Sequence, residues 1–193
     1  MRKVILASSS SRRKDILSKY KIDLEIYPSF INEKVRGNFS PEETVMSLSF
    51  EKAKSVEKYF KNHEIIIGAD TVVYIDNMIL GKPKDEWDSF NMIKLLSGRE
   101  HNVVTGISII EADSNIKIID YEKTKVVFRK LSDDKIKNYI ETNEYEDKAG
   151  GYGIQGYGEI LVERIEGCYS NVVGMPVFKL DYLLEKYFNI SLL

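Results

Sequence analysis

Residues 149–158 read AGGYGIQGYG, five glycines in ten positions, and the spacing Gly151-x-Gly153-x-x-Gly156 inside them is that of a dinucleotide-binding turn. That turn needs a hydrophobic strand leading in and a helix leading out, because the pyrophosphate sits on the helix N-terminus. Here the preceding residues, ETNEYEDK, are charged and polar without alternation, and the following ones, EILVERIEG, read as a strand. The order is wrong for a Rossmann turn, so the chain is not a doubly wound dinucleotide-binding fold at this point. The glycines serve another purpose, and Gln155 is the residue among them able to read a ligand.

Outward from that segment the chain alternates strands and helices. Val4–Ala7 is a short apolar run suited to a buried strand, followed by a serine-rich loop and the helical SRRKDILSKY. SPEETVMSLSFEKAKSVEKYF opens with a capping box, Ser40 with Glu43 three residues on and Pro41 at the first helical position. EIIIGADTVVYI predicts a long strand, MILGKP a short strand leaving a turn, and DSFNMIKLLSG a helix closed by Gly98. NVVTGISII and KIIDYEKTKVVF, joined by EADSN, predict an antiparallel hairpin. A helix over about Asp133–Glu141, the glycine segment, a strand EILVERI and an amphipathic helix from Pro176 complete the chain. Crossovers and a hairpin together imply an α/β fold with a mixed β-sheet and flanking helices.

The 193 residues suffice for one sizeable domain over 1–193, and 43% apolar with 30% charged residues excludes disorder. The net charge of -2 with interspersed signs argues against nucleic acid or an anionic membrane as partner, so any polyanion bound is small. The single cysteine, Cys168, fits a reducing compartment. The apolar part of the N-terminus, Val4–Ala7, is too short for a signal-peptide core, and the expected location is cytoplasmic.

Three features carry chemistry. Ser8 to Arg13 lies where a strand hands over to a helix, a place where backbone N–H groups, hydroxyls and two guanidiniums can hold a phosphate. A serine cap with two solvated arginines explains the same residues. Lys52 falls near the centre of the apolar stripe Val45, Leu48, Val56 and Tyr59, so it snorkels or has an anionic partner. Asp70 interrupts an apolar strand, where a carboxylate must be paired or bind a metal. Gly68, on the same strand face, is read as clearing space beside it. A structural ion pair with Lys52 or Lys82 and a metal-dependent phosphate site both satisfy this pattern. Glu33 sits in a loop, SFINEKVRG; His63 and His101 lack metal-ligand spacing and read as surface histidines; Met46, Met78, Met92 and Met175 read as core filler.

With these residues assembled, the chain resembles the Maf family of nucleoside triphosphate pyrophosphatases from end to end. The likeness is carried by LASSSSRR, EKAK around Lys52, GADTVV, LGKPKD, LSGREHNVVTG, DKAGGYGIQGYG and GCYSNVVGMPV. The resemblance implies a Maf/inosine triphosphatase-like mixed α/β fold of two lobes around a deep cleft. It also implies dependence on a divalent cation, Mg²⁺ or Mn²⁺, hydrolysis of a nucleoside triphosphate to monophosphate and pyrophosphate, and a homodimer. Transferred by motif, Ser8, Arg13, Lys52 and Lys82 bind phosphates, Glu33 and Asp70 are the acids that hold the metal, and Asp70 accepts the proton. Arg12, Thr71 and Gln155 occupy the positions that sort the family by substrate, and this set looks like the dTTP/UTP branch. The glycine segment resembles the family's base-recognition element, with Gln155 presenting a donor and an acceptor. One departure is Ser11, where the family usually has proline.

Overall fold

The apolar tripeptide Val4–Leu6 forms β1, completely buried, and pairs in parallel with β2 (Leu24–Ile26) on one side and β3 (Ile65–Ile75) on the other. Strands covered on both faces carry no polar alternation, which is why β1 and the first half of β3 read as continuous apolar runs. In this computed structural model, which describes residues 2–33 and 39–193, the strand order is β2-β1-β3-β5-β6-β7, with β4 (Met78–Leu80) added antiparallel to β3. Here β5 is Glu100–Glu111, β6 is Lys117–Phe128, and β7, Val162–Glu166, runs antiparallel to β6. Parallel and antiparallel pairs in one sheet give the expected mixed α/β architecture. Asp76 and Asn77, both at positive φ, make the tight turn between β3 and β4, a conformation these two residue types tolerate.

The helices are α1 (Ser11–Leu17), α2 (Pro41–Glu57), α3 (Glu86–Leu96), α4 (Asp133–Ile140), α5 (Tyr169–Val173) and α6 (Val177–Phe188). Each of the first four is started by a side chain that satisfies an orphan N–H. Ser10 caps α1, Asp85 caps α3 and Ser132 caps α4, while α2 has the full capping box. In that box the Glu43 amide donates to Ser40 Oγ at 3.1 Å and the Ser40 amide donates back to Glu43 Oε2 at 2.8 Å. No helix among the described residues is long and apolar enough to cross a membrane.

Contacts divide the chain into two compact units. The first comprises Met1–Asp70, Thr105–Glu122 and Gly174–Leu193; around Ile5, Ala7, Ile66 and Ile110 it packs Ala53 and Val56 of α2. The second comprises Thr71–Val104 and Lys123–Val173, with a core that includes Val73, Ile93, Leu96, Val103, Phe128, Ile136, Tyr152 and Leu161.

Several expectations are corrected. Glu159–Leu161 belongs to a 3-10 turn over Gly156–Leu161, so β7 starts only at Val162; buried Leu161 beside half-exposed Ile160 imitates strand alternation. The short elements β2 and α5 were not anticipated, being too brief to show a period. Met78 is exposed on β4, whereas Met175 is fully buried. Of the loop expected over residues 29–37, positions 34–37 lie outside the described residues.

Candidate active site

Lys52 owes its position to how closely α2 lies on the sheet. A Cβ on Gly68 would overlap the Ser49 carbonyl and come within 2.9 Å of the Ala53 nitrogen, and one on Gly106 would overlap the Val45 carbonyl. Glycine at both positions lets the α2 backbone rest directly on β3 and β5, and Ser49 Oγ and Ser108 Oγ share a buried hydrogen bond of 2.8 Å across that contact. Gly68 therefore makes room for the helix backbone, not for the Asp70 carboxylate as the sequence suggested.

On the buried face of α2, with Val45, Leu48 and Val56, Lys52 is only 7% exposed. Tyr59 is not part of that stripe; it lies beyond the helix, 58% exposed, with its ring against Tyr27. Lys52 does not snorkel to water. Its Nζ donates to Asp70 Oδ1 at 2.6 Å and pairs with Glu33 Oε1 at 2.8 Å. One ammonium thus bridges two carboxylates, one buried and one exposed. Burial holds the Asp70 carboxyl above its ordinary value, against the opposing pull of Lys52 and Arg13. A carboxylate raised in this way is a stronger proton acceptor than a solvated one, yet the neighbouring cations keep the charged form accessible.

The serine–arginine segment contains the helix cap of its simpler reading. Ser10 is the helix cap, accepting from the Arg13 amide at 3.5 Å. Ser8 is buried and its Oγ accepts from the Ser10 amide at 3.2 Å and from Arg13 Nη1 at 3.4 Å. Arg13 also donates from Nε to the Gly174 carbonyl at 2.9 Å, so it is not the solvated arginine of the simpler reading. Burial works against its charge, and Asp70 and Glu33 work for it. Arg12, half-buried, adds a like charge near Arg13. Ser8, Arg12, Arg13, Glu33, Lys52 and Asp70 all belong to the first unit.

Thr71, Lys82 and Gln155 belong to the second unit. Thr71 is half-buried; Lys82 is exposed, with Asp147 3.9 Å away, a distance and exposure that bind it weakly. The Gly150 amide donates to the Gly81 carbonyl at 2.9 Å, tying the Lys82 segment to the glycine segment. The glycine segment is pinned further along. Gly153 N donates to Tyr139 Oη at 3.2 Å, Ser89 Oγ donates to the Gly151 carbonyl at 3.4 Å, and Tyr152 Oη lies 2.7 Å from His101 Nε2. His101 is buried, contrary to its surface reading. Among the described residues its Nδ1 has no hydrogen-bond partner, and desolvation lowers its pKa to about 4, which favours the neutral ring near pH 7. Gln155 itself is exposed.

The model of the Maf-like protein family matches residues 3–187 of this sequence. The chain belongs to the Maf-like family. Among curated relatives, a dTTP/UTP pyrophosphatase of Clostridioides difficile strain 630 is 51% identical, over 98% of this chain and 97% of its own. Another dTTP/UTP pyrophosphatase, of Ruminiclostridium cellulolyticum, is 49% identical over 96% of each chain. Among solved structures, the Ham1 protein of Staphylococcus aureus matches 83% of this chain and 80% of its own at 15% identity, with a TM-score of 0.48.

The donor set of this Maf-like chain suits a hard divalent cation. Glu33 and Asp70 offer carboxylate oxygens that already converge on one positive charge, the Lys52 ammonium. Among the described residues no group of three or more His, Cys, Asp and Glu is assembled for a metal. A cation held here would rest on the two carboxylates and complete its shell with water and substrate oxygens, which is how Mg²⁺ is commonly bound.

Proposed function

We propose that this Maf-like chain hydrolyses dTTP and UTP, and modified pyrimidine triphosphates of the same base edge, at the α-β phosphoanhydride, giving the monophosphate and pyrophosphate. The observation that carries the proposal is the buried Asp70 with its raised carboxyl pKa, bridged by Lys52 to Glu33 and flanked by Arg13. An apolar pair of similar volume would stabilise a core at least as well as this ion pair, so its presence is better explained by chemistry than by stability. The names of relatives about half identical over nearly the whole chain support the same activity.

In the proposed reaction, a water oxygen bonds to the α-phosphorus, the bond from that phosphorus to the bridging oxygen breaks, and Asp70 takes the water proton. Ser8, Arg13 and Lys52 donate to phosphate oxygens, and Lys82 offsets charge on the leaving pyrophosphate. Such donors act most strongly where water is excluded, as around buried Lys52. Mg²⁺ or Mn²⁺ held by Asp70 and Glu33 would supply further charge neutralisation and lower the pKa of a bound water. Thr71, Arg12 and Gln155 orient the base.

The test is incubation of the pure protein with a panel of triphosphates, with Mg²⁺ or Mn²⁺ and with EDTA, and identification of the products. The proposal requires monophosphate plus pyrophosphate from dTTP and UTP, lost on chelation and regained with metal. Orthophosphate plus diphosphate would overturn it. Tight binding without turnover would make the chain a nucleotide sensor instead.

A further inference from the structure

Gln155 stands at the N-cap of the 3-10 turn Gly156–Leu161, yet its side chain makes no capping hydrogen bond. That position favours the short side chains of Ser, Asp or Asn, whose oxygen folds back onto the N–H groups of the first turn. A residue that breaks a local rule without local benefit marks a site doing something else. The cap is supplied from elsewhere. Glu144 Oε2 accepts from the Gly158 amide, the third position of the turn, at 3.0 Å. Its other oxygen lies against Gly156, which has φ +71 and where any Cβ would overlap Glu144 Oε1. Glycine at 156 is thus favoured by its left-handed backbone, and its lack of a side chain leaves room for the carboxylate in this position.

Glu144 is half-buried and its own backbone is fixed. Its amide donates to Thr142 Oγ1 at 3.3 Å, Thr142 Oγ1 donates to the Tyr139 carbonyl at 2.6 Å, and Lys148 Nζ donates to the Glu144 carbonyl. Tyr139 in turn receives the Gly153 amide. The C-terminal end of α4 and the residues just after it therefore hold the chain on both sides of Gln155, at Gly153 and at Gly158.

We propose that Glu144 is a positioning residue for base recognition: by capping the 3-10 turn in place of Gln155, it leaves the Gln155 carboxamide available to a base edge that pairs a donor with an acceptor. Without the carboxylate, the Gln155 oxygen, carried by the N-cap residue, is placed to fold back onto the open N–H groups of its own turn. The inference rests on the reading of Gln155 as the base-sensing residue.

The experiment compares kcat/KM for UTP and CTP in wild type, Glu144→Ala, Glu144→Gln and Gln155→Ala. Glu144→Ala is expected to lower the UTP:CTP ratio at least about fivefold, toward the Gln155→Ala value, because an orienting hydrogen bond is lost. Glu144→Gln is expected to stay within about twofold of wild type, since its amide oxygen still accepts from Gly158. Should Glu144→Ala fold too poorly to assay, Glu144→Asp keeps the charge but withdraws the oxygen by one methylene and is expected to lower the ratio in the same direction. If Gln155→Ala lowers the ratio while the Glu144 variants reduce both nucleotides equally, Glu144 is merely structural and the inference is overturned with the base reading intact. If Gln155→Ala leaves the ratio at its wild-type value, both fall together.

Discussion

Asp70 and Lys52 are each other's reason for being buried, and their variants should separate catalysis from stability. Asp70→Asn keeps the shape but loses proton acceptance; removal of a general base alone costs about 10² to 10⁴ in rate, so kcat should fall at least that far while the far-UV CD spectrum is retained. Retained kcat with a lowered Tm would instead make the pair structural. Lys52→Met suits the apolar stripe of α2 but strands the Asp70 carboxylate, and breaking one side of a buried pair typically costs about 3 to 5 kcal/mol. Since Lys52 pulls the Asp70 pKa down, its loss raises that pKa further. The folded variant then takes up a proton more readily than the unfolded chain as pH falls, so its stability deficit against wild type should shrink from pH 8 to pH 5. A deficit independent of pH would mean that Asp70 is not the group left unpaired. His101 gives the opposite sign. Its folded pKa of about 4 lies below the ordinary 6.5, so below pH 6.5 the unfolded chain binds a proton that the folded one refuses. Stability present at neutral pH should be lost by about 3 kcal/mol as pH falls through that window. Denaturant titrations of wild type and His101→Gln at pH 7 and pH 4.5 check it: the variant's acid loss should be smaller, and an equal loss would assign the effect to other groups.

At the scale of the element, α2 joins local chemistry to the site. Its start was legible because a capping box is written within four consecutive residues, Ser40 to Glu43. Its depth on the sheet was not, because that depends on Gly68, which reads as making space beside Asp70, and on Gly106, which reads as an ordinary strand residue; neither is marked locally as the seat of a helix. The same distinction explains the misread Tyr59, which continues the helical period although the helix has already ended at Glu57. Two variants should therefore behave differently. Ser40→Ala removes a cap worth about 1 kcal/mol and should lower Tm without changing kcat. Gly106→Ala pushes against the Val45 carbonyl, and such overpacking costs typically about 1 to 3 kcal/mol. It should also lower kcat, because lifting α2 moves Lys52 from Asp70. Equal kcat in Gly106→Ala and wild type would show that the seat of the helix does not set the geometry of the pair.

For the molecule as a whole, the sequence order around AGGYGIQGYG was enough to exclude a Rossmann turn, and the run Val4–Ala7 and the segment EIIIGADTVVYI were enough to find two strands, which the structure pairs in parallel. What stayed hidden were elements too brief to repeat a pattern and residues whose role is defined only by distant partners: β2, α5, buried His101 and Glu144. The charged residues followed the same division. Asp70 was conspicuous because a carboxylate in an apolar strand breaks a pattern, while Glu33 was visible only through the family resemblance, as nothing in its loop distinguishes it locally. In the proposed reaction a water deprotonated at Asp70 attacks the α-phosphorus. Turnover of dTTP in H₂¹⁸O, with mass analysis of both products, tests it most directly. The heavy oxygen is expected in the thymidine monophosphate, with none in the pyrophosphate; label in the pyrophosphate, or release of labelled orthophosphate, would rule out attack at the α-phosphorus.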